Sequence, residues 1–188
     1  MRAFVAIETG EEIRKVLSSL LGRLAPAGGG ISWVRPEQMH LTLHFFEELP
    51  EGDLEKISDA LGLAASSTKP FTLEIKDTGS FGPAGSPRVF WCGVGGDLHA
   101  LRELQAKIEK NLEEAGFRGD GKAFKPHLTL GRNKTGSRQD RVRTLLEGLR
   151  DYSVGSFRVE GVTLFRSELR KEGALHTPLE HFALEERP

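Results

Sequence analysis

Two stretches of this chain carry the same ordered elements at nearly one spacing, and that recurrence constrains the fold more than any other feature. An apolar helical stripe of Ile13, Val16, Leu20 and Leu24 returns as Leu101, Leu104, Ile108 and Leu112, 88 residues on. The tetrapeptide His-Leu-Thr-Leu stands at His40 to Leu43 and again at His127 to Leu130, 87 residues on. A second stripe, Leu54, Ile57 and Leu61, is answered by Val142, Leu145 and Leu149, and Phe71-Thr-Leu-Glu74 by Phe157-Arg-Val-Glu160. A repeated tetrapeptide alone is expected by chance on the order of 0.1 times in a chain this long. Four elements recurring in one order point instead to a duplication.

Periodicity gives the elements of each half. Alternation and turn signals predict strands at about Arg2 to Ile7, Ile31 to Val34, Met39 to Phe46, Phe71 to Ile75, Arg88 to Val94, His127 to Arg132, Phe157 to Arg166 and Leu179 to Leu184. Helices fall near 10–24, 53–66, 97–115 and 138–149, the first capped by Thr9 with Glu12 three residues on. Ala27 to Gly30 and Phe81 to Pro87 read as loops, and the first lacks the Lys-Ser/Thr of a phosphate loop. The expectation is one α+β domain over residues 1–188, built from two pseudo-symmetric lobes at about 1–80 and 86–170. Each lobe carries a mainly antiparallel sheet and two helices, with a cleft between the lobes and the terminal strands free to exchange.

Composition narrows the class. At 188 residues the chain can bury a substantial core. Its single cysteine, Cys92, lies in the apolar run Val89-Phe-Trp-Cys92, which reads as a buried, inert thiol in a reducing compartment. No segment has membrane-spanning length and the N-terminus is too short an apolar run for a signal peptide, so the default is a soluble cytoplasmic protein; a monomer is the expectation for its assembly. A net charge of −1 argues against a general nucleic-acid coat. The charge is uneven, however. Arg118 to Arg143 holds eight Lys/Arg against Asp120 and Asp140 and surrounds the second His-Leu-Thr-Leu, whereas Glu47 to Asp59 is acidic and reads as a solvated face.

On a pleated strand, His40 and Thr42 project to one face, as do His127 and Thr129, with the leucines opposite. Two such strands facing each other would offer one histidine to take a proton and one to give it, because imidazole exchanges protons near neutral pH. That suits in-line displacement at phosphorus, with Thr42 and Thr129 donating to the non-bridging oxygens and Arg132 as a cationic partner. Parity puts Arg132 opposite His127 unless the strand ends or bulges there. Metal binding is the main competing use, since His40 and His44 share a face by the same count. Yet no Cys, Asp or Glu stands at ligand spacing, and no cofactor is expected. His44 reads as a second polar residue of the cleft or a half-exposed one. His99, His176 and His181 read as surface or satisfied core positions. No Gly-x-Ser-x-Gly elbow supports a serine nucleophile. Phe46 and Trp91 could stack a base, although core packing is the simpler reading.

These residues resemble the 2H phosphoesterase superfamily, defined by two His-x-Thr/Ser-x motifs, and within it the bacterial and archaeal RNA 2′,3′-cyclic phosphodiesterases, also called 2′-5′ RNA ligase-like proteins of the LigT type. The likeness runs through Phe4-Val-Ala-Ile-Glu8, Trp33-Val-Arg-Pro36, Met39 to Leu43, Pro87 to Trp91, Phe124 to Arg132 and Val162-Thr-Leu-Phe165. It implies a bilobal α+β fold and metal-independent hydrolysis of an RNA 2′,3′-cyclic phosphate end to a 2′-phosphate. It gives His40 the role of proton donor to the leaving 3′ oxygen and His127 that of base, with weak 2′-5′ ligation as a side reaction. Two departures stand out: His44-Phe-Phe-Glu47 replaces a basic residue followed by Phe-Leu-Gly, and His176 stands where Tyr is common. A small cyclic nucleotide as substrate and a noncatalytic RNA-end binder remain open as alternatives.

Overall fold

The computed structural model describes residues 1–119, 121–170 and 173–185; Asp120, counted in the basic run, lies outside them. Strands β1 (Arg2–Glu8), β2 (Ile31–Trp33), β3 (His40–Phe46), β4 (Phe71–Phe81), β5 (Val89–Gly96), β6 (His127–Asn133), β7 (Ser153–Val159), β8 (Gly161–Arg170) and β9 (Gly173–Ala183) form one antiparallel sheet. Helices α1 (Glu11–Leu24), α2 (Leu54–Ser66), α3 (Leu98–Glu114) and α4 (Asp140–Gly148) complete an α+β fold. The strand order is β7-β4-β5-β6-β3-β1-β8-β9, with β2 added on β6.

The two motif strands therefore meet at the centre. Their common register point is Leu41 opposite Leu128, and both leucines are fully buried. On either side the order is mirrored: β3 pairs β1 and then β8, while β6 pairs β5 and then β4. The leucine faces pack into a core with the helix stripes. Leu101, Leu104, Ile108 and Leu112 of α3 have no exposed surface, each contributing about 1.5–3 kcal/mol of burial. Cys92 is in the same core, where burial pushes its thiol up to about 12 and leaves it protonated and inert.

Several expectations change here. Phe71 to Glu74 and Phe157 to Glu160 do not take equivalent places in two halves; they lie side by side, with Phe71 opposite Val159 and Leu73 opposite Phe157. The spatial counterpart of β4 is β8. The expected strand from Phe157 to Arg166 is two strands that break at Glu160, one pairing β4 and the other β1. Apolar alternation continues through the break, so it carries no mark in the pattern. Strand β4 runs on to Phe81 through a bulge at Asp77, which adopts a φ of 62°. In α4, Leu146 rather than Leu145 joins Val142 in the core. Thr9 does not cap α1: Gly10, at φ 80°, takes the N-cap position, and the Thr9 hydroxyl has no partner. Among the described residues no helix is long and apolar enough to cross a membrane.

Candidate active site

The register at Leu41 and Leu128 dictates the geometry of the site. In an antiparallel pair the flanking residues oppose one another, so His40 falls across from Thr129 and Thr42 across from His127. All four project to the face away from the leucines. Directly opposed side chains start about 5 Å apart at Cβ and diagonal ones about 7–8 Å. The two histidines thus sit on one diagonal of a four-residue block and the two threonines on the other.

Both motif strands bulge at the same place. Val5 faces His44 but Ala6 faces Thr42, which leaves Leu43 unpaired; Phe90 faces Gly131 but Trp91 faces Thr129, which leaves Leu130 unpaired. A bulge inserts one residue and inverts the alternation beyond it. Arg132 is accordingly brought to the face of His127 and Thr129, and it is exposed there. The simple parity that set it on the other face does not hold. Phe45 is its counterpart on β3, under a cation–π contact from Arg2 at 5.2 Å.

The same inversion removes His44 from the cleft. It is 4% exposed, and its Nδ1 lies 2.8 Å from Glu109 Oε1 on α3. Gln105 Nε2 also donates to that carboxylate oxygen at 3.0 Å. His44 is thus a core histidine tying β3 to α3, not a cleft residue. Phe46 is buried too, whereas Trp91 is half-buried on the cleft side, its ring 5.3 Å from that of Phe81.

Each motif histidine is oriented by the carbonyl two residues before it. His40 Nδ1 bonds Gln38 O at 2.7 Å and His127 Nδ1 bonds Lys125 O at 2.6 Å. A carbonyl only accepts, so in the neutral ring Nδ1 carries the proton and Nε2 keeps its lone pair for the cleft. Their surroundings differ. His40 stacks on Phe4 at 4.4 Å, near Phe165, and meets His176 edge-on at 5.1 Å. Burial in this aromatic nest, followed by the neighbouring His176, lowers the His40 pKa to about 4. Burial lowers that of His176 as well. His127 meets the edge of the Phe81 ring at 5.0 Å and borders a cavity of about 250 Å³.

His176 is neither a surface residue nor an ordinary core position, as its sequence context suggests; it forms one wall of the His40 nest. No repeat partner marks its place on β9; its signal in the sequence is that it stands where the family the chain resembles commonly has Tyr. His99 is exposed beside Glu103. His181 bonds Thr163, which in turn donates to Glu8. In the basic run, Arg118, Arg138 and Arg143 pair with nearby carboxylates, while Lys125 lines the cavity beside His127. Among the described residues no three His, Cys, Asp or Glu side chains are grouped as metal ligands. A larger cavity, about 300 Å³, lies between α2 and α3 among Lys56, Leu63 and Asn111, away from both motif histidines.

Residues 4–171 match the model of the 2′-5′ RNA ligase superfamily. The chain belongs to this superfamily. It is 38% identical to an RNA 2′,3′-cyclic phosphodiesterase of Thermus thermophilus, covering 98% of this chain and 90% of that one. It is 34% identical to an RNA 2′,3′-cyclic phosphodiesterase of Methanothermobacter thermautotrophicus, covering 98% and 99%. Among solved structures it is similar to a protein of Thermus thermophilus, with a TM-score of 0.79 and 35% identity over 98% of each chain. It is also similar to E. coli LigT complexed with phosphate, with a TM-score of 0.75 and 25% identity over 98% of each chain.

Proposed function

We propose that this protein hydrolyses the 2′,3′-cyclic phosphate at an RNA end to a 2′-phosphate, without a metal, by paired histidine acid/base catalysis. The observation that carries the reading is the four-residue block around Leu41 and Leu128, in which each histidine stands across from the other motif's threonine. The names of the superfamily relatives support the substrate.

The phosphate sits over the block. His127 Nε2 takes a proton from water as its oxygen attacks phosphorus, and His40 gives a proton to the 3′ oxygen as that P–O bond breaks. The 2′ oxygen keeps the phosphate. Thr42 and Thr129 donate hydroxyl protons to the non-bridging oxygens, and Arg132 neutralises the charge gathering there. His40 must acquire its proton with the anion bound, since the nest around it favours the neutral ring in the free protein. The anion supplies the reason, because a negative charge beside an imidazole favours the charged form. With a 5′ hydroxyl in place of water as the nucleophile, the same groups in the same roles give a weak 2′-5′ joining reaction.

The test is incubation with a short RNA ending in a 2′,3′-cyclic phosphate, with and without EDTA. A 2′-phosphate product at an unchanged rate in EDTA is expected. A 3′-phosphate product, or activity lost to the chelator, would overturn the reading. The rate should fall with added salt, as flanking phosphates contribute charge contacts.

A further inference from the structure

The two motifs are copies, yet their histidines end in different surroundings, and the repeat shows where the difference enters. Gln38 and Lys125 stand 87 residues apart, the offset of the motifs themselves. Their backbones act alike, since each carbonyl holds the Nδ1 of the histidine two residues on. Their side chains part company. Lys125 Nζ lies over the Phe81 ring at 5.9 Å, whereas Gln38 Nε2 donates at 2.8 Å to the carbonyl of Ala174, 136 residues away at the start of β9.

That bond falls where the sheet supports β9 least. As the last strand in the order, β9 pairs with β8 alone. Ala174 lies opposite Leu169, two residues past Ser167, where the pairing of β8 with β1 ends. Leu169 is 72% exposed. His176, opposite Ser167, is not tied down by its buried Nδ1, which has no partner. Its ring meets Phe4 at 4.8 Å and His40 at 5.1 Å, so whatever seats the start of β9 also seats this wall of the nest. Among the described residues no other side chain bonds the backbone from Ala174 to His176. The remaining groups around His40 do not need Gln38. Phe4 and Phe165 belong to β1 and β8, and Thr129 stands across on β6. Glu8, the residue paired with His40 on β1, has its carboxylate engaged by Thr163 at 3.1 Å and Arg14 at 3.5 Å.

We propose that Gln38 is a positioning residue: its amide clasps β9 over His40, so that one of two identical motif histidines is enclosed and draws its proton only with the phosphate, while the other stays open as the base. The assignment of donor and base rests on the function proposed above; the clasp rests on the hydrogen bond to Ala174. Loss of one neutral hydrogen bond shifts the balance between seated and unseated β9 by about three- to tenfold. An unseated β9 lets water reach the imidazole and takes His176 away, and both changes favour the charged ring. Proton binding to the unseated form is linked to that balance, so three- to tenfold corresponds to about 0.5–1 pH in the His40 midpoint.

The experiment titrates the histidine rings of the whole protein by NMR in the wild type, Gln38→Met and Gln38→Asn, with kcat/KM for a cyclic-phosphate RNA measured across the same pH range. Met fills the space without a donor; Asn keeps the amide but is one methylene too short to reach Ala174. In both variants the His40 midpoint should rise by about 0.5–1 pH, the His127 midpoint should match that of the wild type, and the lower limb of the kcat/KM profile should move with His40. A His40 midpoint unchanged in either variant would overturn the clasp, as would His127 and His40 moving together, which marks general loosening. A lower limb that stays in place while the His40 ring moves would deny that the clasp serves the reaction. A wild type that hydrolyses nothing would sink the phosphodiesterase reading and the donor assignment with it, and the ring titrations would then decide the clasp by themselves.

Discussion

The aromatic nest around His40 makes a measurable demand on the free protein. Lowering the imidazole from its ordinary 6.5 to about 4 corresponds to about 3 kcal/mol at 1.36 kcal/mol per unit. The sign follows from linkage. Between pH 6.5 and 4 the unfolded chain holds a proton on His40 that the folded protein does not, so unfolding becomes easier as pH falls through that window. The stability present above 6.5 is lost progressively toward 4. Between pH 7 and pH 5 the His40 contribution to that loss is about 2 kcal/mol. Urea unfolding of the wild type and His40→Asn at both pH values isolates it, since the variant retains every other carboxylate and histidine. The wild type should lose about 2 kcal/mol more than the variant across this interval. NMR titration of the His40 ring should give a midpoint near 4, rising when inorganic phosphate is added. Equal losses in the two proteins, or a ring titrating near 6.5, would refute the reasoning. A midpoint indifferent to phosphate would argue that His40 takes the proton and His127 gives it.

Two further outcomes follow from the bulged strands. Arg132→Gln should lower kcat/KM for a cyclic-phosphate RNA by about 10–100-fold, the equivalent of one charge-assisted hydrogen bond, with an unchanged melting temperature. An unchanged kcat/KM would detach Arg132 from the phosphate. Glu109→Ala strands the buried His44 Nδ1 and should cost about 1–3 kcal/mol in urea unfolding; a double-mutant cycle with His44→Phe should return a coupling of similar size, and additivity would deny the pairing.

How far the sequence reveals this molecule differs from element to element. The helices and central strands are legible because Leu101 to Leu112 and the two His-Leu-Thr-Leu segments keep strict periods, and a period records which face is buried. The bulges at Leu43 and Leu130 are not legible. Each adds an ordinary leucine to an ordinary strand, and only the partner strand reveals that one residue is unpaired. That single displacement is why simple parity fails for both Arg132 and His44. The nest around His40 is hidden for another reason. Ala3 through Ile7 are apolar on both faces of β1, so alternation cannot say that Phe4 faces the cleft while Val5 faces the helices. His176 arrives from β9, far along the chain, and proximity of that kind is a property of strand order. Strand order also explains the segments at Phe71 and Phe157, whose likeness reports strand character but not place.

The central claim is that two halves of a duplicated chain act as one catalytic unit, and the most direct measurement is kcat for cyclic-phosphate hydrolysis in His40→Ala, His127→Ala and the double variant, each verified as folded. Groups acting on one phosphate in one step should not be additive. Each single variant should lose about 10²–10⁴-fold, and the double variant should be little worse than the poorer single one. Losses that multiply, or a single variant with full activity, would contradict the claim.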